Sequence, residues 1–379
     1  MMGKNVIIIV ILAAVVIASA AVLVTMSPNE NVEPPSPEVP DVPDPEIPDP
    51  EPLYPKGISF DPETGTLSHE DEVTWYITDE LVAYVDKKTE TVIDKTVVLD
   101  EGLYSVKVGD DSFNVVVPGK KSITLKWDYQ FNDRKYPIEV TYDVDIAELS
   151  EITLSNRDWN NGRNNDLFMN LPKQVYVNDT VRSIVSQLKA AYIEIGGSMD
   201  DMQSYADILA SFAQLGIEYP PWETIPKTKI QSSDYHYWGK DEYWANTLET
   251  LYFGKGDCED SSAVACALFI AAGFKTAMVG GPGHVMSSVS LDSFEERDTP
   301  KYGVIMTSFD VAVSTSARYV SDPTVTYYGV ETIKGQTPVG YLMKGQLKYI
   351  NADSDTAARR PQGLSGYYSV DQGEVEGIH

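Results

Sequence analysis

Two residues in this 379-residue chain have the type and setting for nucleophilic chemistry, Cys258 and His284. Cys258 lies in Gly254-Lys255-Gly256-Asp257-Cys258-Glu259-Asp260, directly ahead of SSAVACALFIAAG. Every residue from 263 to 272 is apolar and Gly273 follows, the composition of a helix buried on all sides. Gly254 and Gly256 permit a tight turn into it. The thiol is therefore expected at the first turn of a buried helix, where the dipole supplies about half a positive charge and favours a thiolate. Asp257, Glu259 and Asp260 oppose that effect, so an activated thiol needs a cationic partner. Residues 275–279 predict a strand, Gly280-Gly281-Pro282-Gly283 a turn, and His284 opens the strand HVMSSVSL. Such a path returns the start of the second strand to the helix N-terminus. A thiol and an imidazole in reach of each other share a proton as an ion pair, which activates the sulfur.

The other histidines are poor rivals: His69 falls in β sequence, His236 in a loop beside Tyr235, Tyr237 and Trp238, and His379 ends the chain. A zinc site from Cys258, Asp260 and His284 lacks a fourth ligand and the usual spacing. Cys258 could also be an ordinary buried cysteine, as Cys266 is expected to be. The two cysteines are eight residues apart on one helix, ~12 Å along its axis, too far for a disulfide.

The elements that must hold this pair begin after an N-terminal anchor. Residues 6–24 form an uncharged apolar run of 19 residues, ~28 Å as a helix, close to the ~30 Å hydrocarbon thickness. Lys4 precedes the run and acids follow from Glu30, which sets the N-terminus in the cytoplasm and the rest outside the cell membrane. Ala18-Ser19-Ala20 leaves open a cleaved signal peptide, which also exports the body. With 1–26 as anchor, residues 27–55 hold eleven prolines and eight acids, an extended stalk. Residues 56–121 predict a small β-sandwich. Within it Tyr104, Val106 and Val108 alternate, Gly109-Asp110 turns, and Phe113, Val115 and Val117 alternate again. Residues 73–85 and 92–99 add strands, and Asp110 and Asp111 are expected to be solvated. Strands at 123–131 and 136–144 lead into helices. Val181, Ile184, Val185, Leu188, Tyr192 and Ile195 mark one, capped by Asn178 or Asp179, and Met199 to Phe212 carry another. Asn178-Asp179-Thr180 is a glycosylation sequon. Residues 346–379 predict a loosely ordered tail. The 57 acids against 29 Lys plus Arg, net −28, exclude nucleic acid and an anionic lipid surface as partners, leaving membrane contact to the N-terminal helix.

The segment YWANTLETLYFGKGDCEDSSAVACALFIAAGFKTAMVGGPGHVMSSV resembles the core of the transglutaminase-like superfamily, in its prokaryotic extracytoplasmic branch. That branch shows a GDCED-type helix start and a GH-type strand start at similar separation, here 26 residues. FAQLGIEY, at 212–219, resembles the segment that commonly lies upstream. The resemblance covers about 122–345. It implies a papain-like α+β fold, with the cysteine on a central helix packed against an antiparallel sheet that bears the histidine. It implies a thiol enzyme acting on amide bonds of a protein or peptide, cell-envelope substrates included, with neither cofactor nor metal. The acyl group would pass to water (peptidase or amidase) or to an amine. It further implies a carboxylate that orients the histidine, usually on the following strand. Here 298–322 reads as an insertion. Asp292 would lie ~26 Å along the histidine's own strand, too far to serve. Asp322 and Glu331 remain, and TVTYYGVETIKGQTPVGYL resembles the closing strand with Glu331 at the acid position. The Cys258 amide offers one oxyanion donor, with Gln214 and Trp238 as candidates for the second. The alternative is a non-catalytic transglutaminase-like binding or cell-surface scaffold module, which needs no reactive thiol.

Overall fold

Alternating apolar residues build the first sheet: β1 (Ile58–Asp61), β2 (Thr66–Asp79), β3 (Thr89–Val98), β4 (Gly102–Val108) and β5 (Asp111–Val117). The structure, a computed structural model, describes residues 54–162, 168–219, 233–281, 284–297, 302–305, 309–315, 318–333, 335–343 and 366–369. The apolar run at 6–24 and nearly all of the stalk lie outside them; among the described residues no helix is long and apolar enough to cross a membrane. β2 slips register between Ser68 and Val73, so that one strand of 14 residues pairs with β1, β3 and β4. The expected two-layer sandwich is therefore one curled antiparallel sheet, because every strand is joined directly or through a neighbour to this long strand. Leu67, Trp75, Ile77, Val106 and Val115 form its own small core. The strand expected over 73–85 stops at Asp79, and Tyr84–Asp86 makes a 3-10 turn instead.

β6 (Lys120–Phe131) and β7 (Arg134–Asp145) form a separate hairpin. Its turn residues Asn132 and Asp133 have φ of 47° and 60°, the left-handed pair whose twist suits flanking strands. Trp127, Tyr129, Ile138, Val140, Tyr142 and Val144 alternate onto its buried face. Among the described residues α-helices follow: α1 (Ile146–Gly162), α2 (Asp179–Glu194), α3 (Met202–Ser211), α4 (Ser233–Trp238), α5 (Thr247–Phe253) and α6 (Cys258–Ala271). Asn178 caps α2 by accepting from Val181 N at 3.2 Å and donates its amide to Glu148 at 2.8 Å. The sequon's asparagine is thus buried and committed, which corrects its reading as a glycan acceptor. His236, expected in a loop, belongs to α4. A π-helical turn, Phe212–Gly216, closes α3.

The last third supplies β8 (Thr276–Gly281), β9 (His284–Ser290), β10 (Tyr302–Ile305), β11 (Phe309–Thr315), β12 (Arg318–Val330), β13 (Tyr341–Met343) and β14 (Gly366–Ser369). Five of them form an antiparallel sheet in the order β11-β12-β9-β8-β14, and β10 pairs with β13. The stretch expected as an insertion carries β10, β11 and the start of β12, and the expected loose tail contributes β14 as a partner of β8. Helix α6 lies on β8 and β9 and against α2, α3 and α5, and every residue from Glu259 to Ile270 is buried. The protein is thus a mixed α/β structure in which an apolar helix is enclosed by sheet and helices, as its composition requires.

Candidate functional site

The turn into α6 is fixed from both sides. Asn246 caps α5 in a capping box with Glu249, and Gly254 ends that helix in the left-handed conformation, φ +64°. Glu218 lies against the next residues: its N–H donates to Gly254 O at 2.9 Å, and Gly256 N–H donates to Glu218 O at 3.2 Å. A Cβ on Gly256 would meet Asp260 Cβ at 2.6 Å, so only glycine lets the turn approach the helix this closely. Asp260 then takes the Ala245 N–H at 2.8 Å and the Asp257 N–H at 3.3 Å. These contacts place Cys258, half-buried, at the first turn of α6.

The same turn is tied to the sheet. Ser262 Oγ donates to Cys258 O at 2.6 Å and reaches Val285 O at 3.5 Å. Thr332 Oγ1 lies 3.3 Å from Ser262 Oγ and 3.5 Å from Cys258 O. Ser262 thus ties the Cys258 carbonyl to Val285, the residue after His284 at the beginning of β9. His284 is 2% exposed, and its Nε2 lies 2.9 Å from Glu331 Oε2. Glu331 is wholly buried, and its Oε1 accepts the N–H groups of Thr332 and Ile333 at 2.9 and 3.0 Å. β12 runs antiparallel to β9 with Val330 opposite Ser287, which carries Glu331, just past the strand end, back to His284. Asp322 occupies the far part of β12, nine residues and roughly 30 Å of strand before Glu331. The register thus joins Glu331, and not Asp322, to the imidazole.

Gln214 is not aimed at the thiol. Its Nε2 donates to Glu331 O and Thr337 O, each at 2.8 Å, and its Oε1 accepts Thr337 N–H at 3.3 Å. With both amide hydrogens spent on carbonyls it cannot also donate to an oxyanion, and its reading as oxyanion donor gives way to a clamp on the Glu331 loop. Trp238 stacks on Tyr243 with centroids 4.3 Å apart and meets Phe253 edge-on. Among the described residues Cys258, Asp260 and His284, the zinc set read from the sequence, do not converge; the groups whose ligand atoms lie within 4.8 Å of one another are Asp257, Cys258 and Glu259 and two sets of carboxyl groups.

Sequence reasoning found Asp257, Glu259 and Asp260 beside the thiol but missed Asp234 and Glu242, which complete a ring of carboxyl groups there. Asp234, Glu242 and Glu259 bring carboxyl oxygens within 4.8 Å of one another, and so do Asp234, Asp257 and Asp260. Most already have protein donors: Asp234 accepts Tyr243 N–H at 2.7 Å, and Glu242 accepts the Trp244 indole N–H at 2.8 Å. Glu259 differs, since its oxygen Oε2 is bonded to the Cys258 sulfur at 3.0 Å. Burial raises Asp234, Glu259 and Asp260 well above the usual carboxylate range, and their mutual repulsion adds to it. Burial also pushes the Cys258 thiol up, the charges of Glu259 and Asp257 push further, and only the Val285 N–H works against them. The Tyr219 phenol has Cys258, Asp257, Glu259 and Asp234 as its charged neighbours. No motif marks Asp234, and Tyr219 only ends the segment FAQLGIEY; their positions follow from the packing of separate segments around α6. Comparison of the chain with protein-family models, with curated proteins and with solved structures finds no match.

Proposed function

We propose that the protein is a thiol enzyme acting on amide bonds, with Cys258 as nucleophile, His284 as its base and Glu331 as the acid that orients the base. The observation that carries this reading is the buried 2.9 Å contact of His284 Nε2 with Glu331, on a histidine whose neighbour Val285 is bridged through Ser262 to the Cys258 carbonyl. A carboxylate on Nε2 fixes the N–H there and turns Nδ1, as the acceptor, to the thiol side. Cys258 passes its proton to Nδ1, attacks the carbonyl carbon and forms a thioester as the amine leaves with that proton. Water, or a second amine, then releases the acyl group. The Cys258 N–H, at a helix N-terminus, is the oxyanion donor that the geometry offers. The packing of α6 on the antiparallel strands β8 and β9 supports a papain-like, transglutaminase-like reading of the core, and the exported location rests on the apolar run at 6–24 with its acidic stalk.

The test compares cells carrying the wild-type protein with cells carrying Cys258→Ala, by mass spectrometry of envelope proteins and peptides. Amide bonds cleaved or exchanged only with the wild type support the reading. Identical peptide profiles, with both proteins present at equal level, would return the chain to the binding-module alternative.

A further inference from the structure

Among the acids around the thiol, Glu259 is the one in bonding contact with the sulfur. Its side chain follows Cys258 on α6, is 5% exposed, and places Oε2 3.0 Å from Sγ. The groups facing it come from every neighbouring element. Asp257 and Asp260 flank it on its own helix start, Asp234 approaches from α4, and Glu242 from the segment before α5. Tyr219 comes from the segment after the π turn, and His284 and Glu331 stand beyond the thiol on the sheet side. The cation nearest in sequence, Lys255, is committed to Glu218 at 3.1 Å. Desolvation and like charge both disfavour an ionised carboxylate at such a position.

We propose that Glu259 is a positioning residue held as a neutral carboxylic acid, whose O–H donates to the Cys258 sulfur and steadies the thiolate that His284 creates. The inference rests on the reading of Cys258 as nucleophile and adds a second residue that governs its charge. The same 3.0 Å contact serves either donor, and which group donates depends on which holds the proton. With an ionised Glu259 the S–H must point at the carboxylate, away from His284, and the thiolate is opposed by a charge at bonding distance. With a neutral Glu259 that opposition vanishes and becomes a hydrogen bond to the anion. The Cys258 proton then goes to His284 Nδ1, while Glu259 keeps its own. The raised affinity of Glu259 for its proton, caused first by burial and then by Asp257, Asp260, Asp234 and Glu242, supports this state. As pH rises through that group's titration, the acid ionises and the activated thiol is lost.

The experiment measures iodoacetamide alkylation of Cys258 in the full chain, by peptide mass spectrometry, between pH 6 and 8.5, for wild type, Glu259→Gln and Glu259→Leu. An amide N–H donates at every pH, whereas Glu259 donates only while protonated. At pH 6 the wild-type and Gln rates are therefore expected to agree within a few fold, and Leu, with no donor, to react ~10-fold more slowly than Gln. A Gln rate ~10-fold or more above wild type at pH 6, or Leu matching Gln, overturns the proposal while leaving Cys258 as a nucleophile. No alkylation of Cys258 in the wild type removes that reading and this inference together. A second measurement is infrared. At pH 6 the wild-type spectrum minus that of folded Glu259→Gln should show a protonated-carboxyl C=O band, the other buried acids Asp234, Glu249 and Asp260 cancelling, and absence of that band in a protein whose Cys258 is alkylated also overturns the proposal.

Discussion

Replacing Glu331 by Gln is the sharpest test of the orienting acid, because the two side chains have nearly the same shape. The amide oxygen of Gln can still accept the Thr332 and Ile333 N–H groups that Glu331 Oε1 holds at 2.9 and 3.0 Å. The change is confined to the other arm. There Glu331 Oε2 accepts from His284 Nε2 at 2.9 Å; an amide N–H in its place must donate, which drives the imidazole to carry its proton on Nδ1. A ring protonated on Nδ1 cannot take the thiol proton. The buried imidazolium also loses a charge-assisted hydrogen bond, about 1.5–3 kcal/mol, and each 1.4 kcal/mol is tenfold in an equilibrium. Both effects lower the population of the thiolate–imidazolium pair, so Cys258 alkylation by iodoacetamide at pH 7 should slow by ~10–100-fold. The unfolding free energy should fall by only about 1–3 kcal/mol, since no cavity is made. Rates come from timed quenching and peptide mass spectrometry, with urea unfolding as the control. A rate within about twofold of wild type, in a folded variant, would refute the argument that this contact prepares the base.

Four further outcomes follow from the same geometry. Cys266 is fully buried whereas Cys258 is half-buried, so a reagent reaches only the latter without local opening, and native protein should be alkylated at Cys258 at least ~100-fold faster than at Cys266; comparable rates would contradict the described burial. Gln214→Leu strips donors and an acceptor from Glu331 O, Thr337 O and Thr337 N, and should cost about 2–4 kcal/mol in urea unfolding together with slower alkylation. Lost turnover at unchanged stability would instead return Gln214 to an oxyanion role. Glu249, buried beneath Asn156 and Tyr243, is raised from 4.5 to about 7 by burial, which outweighs its donors Asn246, Asn156 and Tyr243. A raised folded-state value means stability present at low pH and lost as pH climbs from about 4.5 through about 7, on the order of 3 kcal/mol. The Tm should accordingly fall between pH 5 and 8, and Glu249→Gln should flatten that slope; a Tm that rises over this interval would refute the assignment. Arg157→Ala removes from the partly buried Glu80 the bonds at 2.7 Å to Oε2 and 2.9 Å to its carbonyl, leaving Lys87 on the carboxylate, and should cost about 1 kcal/mol by thermal unfolding while loosening the first sheet from α1. Unchanged protease sensitivity near residues 80–87 would argue against that coupling.

What the sequence determined by itself is local. The run of apolar residues after Cys258, the glycines before it and Gly273 behind it specify a buried helix with the thiol at its start, and α6 has those ends. Alternation specified β4, β5, β6 and β7, and spacing specified α2, because periods of 2 and 3.6 are written in consecutive residues. Tertiary structure decided everything that depends on which distant segments meet. The choice of Glu331 over Asp322 is settled by the register of β12 on β9, which no local pattern in the chain encodes. Gln214 looked like a free polar donor, yet a partner 117 residues away takes its amide, and Asn178 lost its sequon reading to a contact with Glu148. The tail was polar and read as loose, but an edge of β8 was there to be paired, and backbone hydrogen bonding asks little of side chains. The acid ring is the clearest case. Asp257, Glu259 and Asp260 could be read beside the thiol from the sequence, but Asp234 and Glu242 look like ordinary surface acids of an acidic protein, and only the enclosure of α6 brings all five together at low dielectric, where their charges oppose one another and the thiol.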